Sequence, residues 1–66
     1  MPMSPMDRKV RLLERGVTLE KIRETVEGKK PTIGHIAYVV RGERTSKRIQ
    51  KTIARLLGVS VLEAFG

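Results

Sequence analysis

The chain has no cysteine and no tryptophan, and only one tyrosine, one phenylalanine and one histidine. Without cysteine there is neither a disulfide framework nor a thiolate metal site. The single histidine, His35, cannot build a metal site alone, so no metal and no cofactor is expected. Scarce aromatics weigh against single-strand and RNA modules, which stack unpaired bases on several aromatic rings. No apolar run approaches the roughly 20 residues that a membrane span needs. The opening Met1-Pro2-Met3-Ser4-Pro5-Met6 lacks the charged and apolar regions of a signal peptide. The expectation is a soluble cytoplasmic protein without a membrane partner. Nor is there a nucleophile with a base beside it, a glycine-rich phosphate loop or a pair of carboxylates on a cleft. Neither an enzyme nor a small-molecule binder is expected.

Acid is the other shortage. Seven Asp and Glu face fourteen Lys and Arg, leaving +7 over 66 residues, with an isoelectric point near 10.6. Such a balance on a small domain is the electrostatic footprint of a nucleic-acid binder; the plain alternative is a basic, solvated surface. The excess is uneven. Residues 1–28 hold six basic and five acidic side chains, and residues 29–66 hold eight basic and two acidic. With few aromatics, double-stranded DNA fits this charge better than a single strand.

What is present is a series of capped, amphipathic segments. Ser4-Pro5-Met6-Asp7 reads as a helix start, with serine as N-cap, proline at N1 and an acidic N3. Val10 and Leu13, with Met6, form the apolar stripe expected to face the core, and Gly16 ends the helix. Thr18 caps a second helix with Leu19, Ile22 and Val26 on one face, closed by Gly28. Lys29-Lys30-Pro31 is a turn. Thr32 caps a third helix, over 32–41, with Ile33, Ile36 and Val40 inward and Ala37 and Val39 at the margins; Gly42 ends it. Ser46 caps a fourth, with Ile49, Ile53 and Leu56 on one face and Leu57 beside them, ended by Gly58. Ser60-Val61-Leu62-Glu63 is another capping-box pattern, so a short fifth helix runs to about Phe65, with Val61, Leu62 and Phe65 folding onto the core. The expectation is one all-α domain of four to five helices over 1–66, with residues 1–3 frayed.

Helices two and three, joined by a glycine-containing turn, match the helix-turn-helix pattern, whose second helix enters the major groove. Three fragments carry a family resemblance: Arg15-Gly16-Val17-Thr18-Leu19-Glu20-Lys21-Ile22, then Val39-Val40-Arg41-Gly42-Glu43-Arg44, then Ile53-Ala54-Arg55-Leu56-Leu57-Gly58-Val59-Ser60 with Glu63-Ala64-Phe65. In that order and spacing they resemble the lambda-repressor-like DNA-binding family, including the Cro, XRE and Ner-like phage regulators, over residues 7–66. Two departures stand out. Arg23 follows Ile22 where the family usually has alanine, and Glu27-Gly28-Lys29-Lys30-Pro31-Thr32 is about three residues longer than the family's tight turn. The resemblance implies a lambda-repressor-like bundle and a transcriptional regulator, a repressor of phage or mobile-element DNA associated with the nucleoid.

On that pattern Thr32 is the N-cap of the recognition helix, and Ile33, Gly34, Ala37, Tyr38 and Arg41 match its outward positions. Helical periodicity puts Gly34, His35, Tyr38 and Arg41 on the polar side, so the base-readout candidates are Thr32, Gly34, His35, Tyr38 and Arg41. Thr32 caps the helix while its backbone N–H groups meet a phosphate. Gly34 permits close approach. His35 donates, Tyr38 offers a hydroxyl and a ring face, and Arg41 reaches guanine or phosphate. Ile33 is inward by helical periodicity and groove-facing by resemblance; periodicity is preferred. Lys29, Lys30, Arg44, Lys47 and Arg48 are the phosphate candidates, with Lys51 beside them. Cations at a helix start oppose its dipole by about 0.3–1 kcal/mol each, and a docked phosphate reverses the sign. Acidic Glu20, Glu24 and Glu27 read as surface partners of Lys21 and Arg23, and Arg11 and Arg15 as partners of Asp7 and Glu14. A homodimer is a candidate assembly, because two-fold binding doubles the contacts of a small domain. Non-specific RNA or architectural DNA binding, or an antitoxin-like interaction module, remains open beside this reading.

Overall fold

A computed structural model describes residues 2–66. It is all-helical: α1 (Pro5–Glu14), α2 (Leu19–Thr25), α3 (Ile33–Arg41), α4 (Lys47–Leu57) and α5 (Val61–Phe65). The caps act where the sequence sets them. Ser4, Thr18, Thr32 and Ser60 each accept a hydrogen bond from the backbone N–H three residues on, satisfying a donor that the helix itself cannot. Gly42 and Gly58 close α3 and α4 in the left-handed region, at φ of 80° and 73°, where a Cβ would be strained. Helix α2 is shorter than expected. It ends at Thr25, and Val26 is already extended, with its side chain buried in the core.

Helix α3 is central, packing against α1, α2 and α4, while α5 closes on α4. The core consists of Leu12, Ile22, Val26, Ile36, Val39, Val40, Ile49, Ile53 and Leu57. Each such side chain contributes about 1.5–3 kcal/mol on burial. Val39 is fully buried rather than marginal, whereas Ile33 is only half-buried and lies outside the core cluster. In α4, Leu57 takes the buried place expected of Leu56. In α5 the buried residue is Ala64, and Leu62 points to solvent.

The largest correction concerns α1. Met6, Val10 and Leu13 are exposed, at 67, 42 and 78% of their surface. The inward residues are Leu12 and Arg8, the latter only 4% exposed. Arg8 donates from Nε to the Val40 carbonyl at 2.8 Å, and from Nη1 to the carbonyls of Met3 at 2.8 Å and Ala64 at 2.7 Å. The Phe65 ring lies 4.4 Å from its guanidinium carbon. Burial lowers the Arg8 pKa by desolvating the charged form, yet a guanidinium stays protonated throughout the ordinary pH range. Among the described residues no carboxylate lies within ion-pair distance of it. The carbonyls of Val40 and Ala64 lie in the last turns of α3 and α5, where the backbone carries partial negative charge. A buried cation is costly unless fully hydrogen-bonded; the planar fork meets that need by joining α1, α3 and α5. The Arg8 contact, and a backbone bond from Met3 N–H to Glu63 O at 2.9 Å, hold Met3 in place. The frayed N-terminus expected from the sequence is therefore not found at Met3, and Met1 lies outside the described residues.

Candidate nucleic-acid interface

The outer face of α3 assembles most of the expected readout residues. Gly34, Tyr38 and Arg41 are exposed and share one stripe, Thr32 is exposed at the N-cap before it, and His35 is half-buried. Thr32 Oγ1 accepts from His35 N–H at 3.2 Å, leaving the other first-turn N–H groups pointing outward. A Cβ built on Gly34 would meet nothing within 4 Å. The glycine is therefore not demanded by packing inside the chain. Tyr38 stands between two cations: the guanidinium carbon of Arg41 lies 4.9 Å from its ring centre and that of Arg44 6.0 Å. Arg41 also donates from Nε to Glu43 Oε2 at 2.6 Å. Glu43, not singled out by sequence reasoning, thus holds one of the expected readout residues in the free protein.

The turn from α2 to α3 is braced by basic side chains. Lys30 Nζ donates to the Glu24 carbonyl at 2.9 Å and to that of Val26. Arg48 reaches back from α4 to the carbonyls of Glu27 and Lys29, both at 3.2 Å. Arg23 Nε donates to Pro31 O at 2.9 Å. A turn too long to close on itself exposes carbonyl groups, and Arg23, Lys30 and Arg48 satisfy them. Lys30 and Arg48, expected at phosphates, are thus committed to the backbone in the free protein, although Arg48 retains unused N–H donors. Sequence reasoning missed the role of Arg23, and its replacement of a customary alanine was the available signal.

The remaining cations are uncommitted. Lys29, Arg44, Lys47 and Lys51 are exposed and make no side-chain hydrogen bond or ion pair among the described residues. Only the Arg41–Glu43 pair falls within ion-pair distance there, so the expected pairing of Glu20, Glu24 and Glu27 with Lys21 and Arg23, and of Asp7 and Glu14 with Arg11 and Arg15, is not found. The positive charge is left open to a partner. Arg48 brings the first turn of α4 beside the turn that leads into α3. Neither α3 nor α4 has an acidic residue in its first turn, unlike α1, α2 and α5, and Ser46 makes no side-chain cap bond. Two positive helix ends thus adjoin free lysines.

Among the described residues no helix is long and apolar enough to cross a membrane, and no cluster of His, Asp or Glu could hold a metal ion. Comparison with known proteins gives no matching family model, no similar curated protein and no similar solved structure.

Proposed function

We propose that the protein is a sequence-specific duplex-DNA-binding regulator, a repressor, in which α3 enters the major groove. The observation that carries the reading is the outer stripe of α3. A glycine with open space above it and a tyrosine between two arginines face solvent on one helix, beside lysines that make no ion pair among the described residues. An α-helix fits the major groove. Bare backbone at Gly34 lets the helix start approach closely, and Tyr38 and Arg41 supply an apolar face and a bidentate donor. Lys29, Arg44 and Lys47, with the first turns of α3 and α4, hold the phosphates. Lys30 and Arg48 act one step removed, fixing the turn that sets the angle of α3.

The test is selection of bound sequences from a random duplex library at about 150 mM salt, with structured RNA as competitor. Enrichment of one motif is expected. Binding without a motif, or transfer to the RNA, overturns the reading and leaves a non-specific nucleic-acid binder or, without any binding, a protein-interaction module. Within the phosphate set, Lys47→Ala is expected to weaken all duplexes alike and to make the salt slope shallower by about 1.

A further inference from the structure

The outer face of α1 has an apolar stripe that the fold does not use. Met6, Val10 and Leu13 recur at intervals of four and three and point away from Arg8 and Leu12. Beside Leu13 a groove of about 460 Å³ runs between α1 and α3, floored by Leu12, Val17, Leu19, Ala37 and Val40. Single exposed apolar residues are ordinary. Three in helical register, continuous with an apolar groove, mark an interface.

We propose that the occupant of this face is a second copy of the chain, with α1 packed parallel to its equivalent across a two-fold axis. Charge and register argue for it. In a parallel two-stranded seam Met6 and Leu13 take d positions and Val10 the a position between them, and a β-branched residue at a with leucine at d favours two strands. Lys9 then occupies g and Glu14 occupies e in the following heptad, the pair that meets across such a seam. Both are exposed, and neither takes part in an ion pair among the described residues. An antiparallel pairing would instead set the acidic flank of Asp7 and Glu14 against itself. Charge also permits the face. Two chains of +7 repel each other, most strongly through residues 29–66. Along the outside of α1, Asp7, Lys9, Arg11 and Glu14 sum to zero, so two copies meet here without a local excess of like charge.

The seam extends the two-copy element of the DNA reading, but it belongs to the free protein. It is short, so the dimer is weak, with a Kd on the order of 100 µM. Sedimentation equilibrium on the whole chain without DNA, from about 10 µM to 1 mM, is the test. Concentration-dependent dimerisation is expected, strengthening as salt screens the repulsion, opposite to the salt response of DNA binding. Lys9→Glu, which sets like charges across the seam, is expected to weaken the dimer about tenfold or more, and adding Glu14→Lys to restore it to within about threefold. Both positions are exposed, and circular dichroism will show both variants folded. A monomer at the highest concentration overturns the proposal, as does a Lys9→Glu variant that dimerises like the parent. Failure of the double variant to recover overturns the parallel register. None of these results touches the DNA reading, which is tested by selection from the random duplex library, where a single copy can enrich a motif.

Discussion

Helices α1 and α4 have the same kind of sequence, an apolar stripe at helical spacing on a helix rich in charge, and the fold treats them oppositely. In α4 the stripe goes inward: Ile49, Ile53 and Leu57 are among the most buried residues of the chain. In α1 the stripe of Met6, Val10 and Leu13 faces solvent, while an arginine takes the inward place beside Leu12. Helix α4 can bury its stripe because α2, α3 and α5 supply apolar partners around it. The side of α1 that meets the bundle faces instead the carbonyl-rich ends of α3 and α5, where a guanidinium is matched and a leucine would leave acceptors unpaired. Amphipathicity therefore states that a face will be covered. It does not state by what.

The sharpest way to break the comparison is to cut both helices where they point inward. Ile53→Ala, in the middle of α4, is expected to cost about 2–5 kcal/mol. A domain of this size holds about 3–5 kcal/mol in all, so chemical denaturation should find the variant largely unfolded at room temperature. Near-normal stability would mean that α4 is not the keel of the fold. Arg8→Ala should follow closely, at about 3 kcal/mol, because it leaves the carbonyls of Val40 and Ala64 buried without donors. Arg8→Lys should recover only part of this, since a point charge cannot serve three carbonyls in fork geometry. Equal stability of the lysine variant and the parent would show that charge, not the fork, matters at this site.

Two smaller effects sharpen the contrast between buried and outward faces. Gly34→Ala should raise stability by about 0.5–1 kcal/mol, because the position is helical and open. If α3 approaches DNA there, the same variant should bind its site less tightly, so the two readouts move in opposite directions. A rise in both would remove Gly34 from the contact surface. Leu13→Gln is expected to change the unfolding free energy in dilute solution by less than about 0.5 kcal/mol, in contrast to Ile53→Ala, while lowering self-association at high concentration. A large loss of stability in dilute solution would place Leu13 in the core after all.

Local signals were legible and distant ones were not. The residues at each helix start, the closing glycines Gly42 and Gly58 and most of the inward residues of α2, α3 and α4 could be read directly, because caps and helical spacing act within three or four residues. The exposure of Gly34, Tyr38 and Arg41 along one side of α3 was legible for the same reason. Lys30 and Arg48 were seen as cations but not as braces, since the carbonyls they meet are exposed only by the way the α2–α3 turn folds. Arg8 gave no sign beyond its spacing of four from Leu12.

The sequence by itself determined the side-chain caps at Ser4, Thr18, Thr32 and Ser60, a basic C-terminal region and, lacking cysteine, the absence of a disulfide framework, all properties of composition or near neighbours. The tertiary structure alone decided which side of α1 turns inward, which cations are tied to backbone and which stay free. Those choices depend on groups far apart in the chain, such as Arg8 with Val40 and Ala64, 32 and 56 residues away. A hydrogen bond across that distance exists only once the helices that carry its two ends have packed.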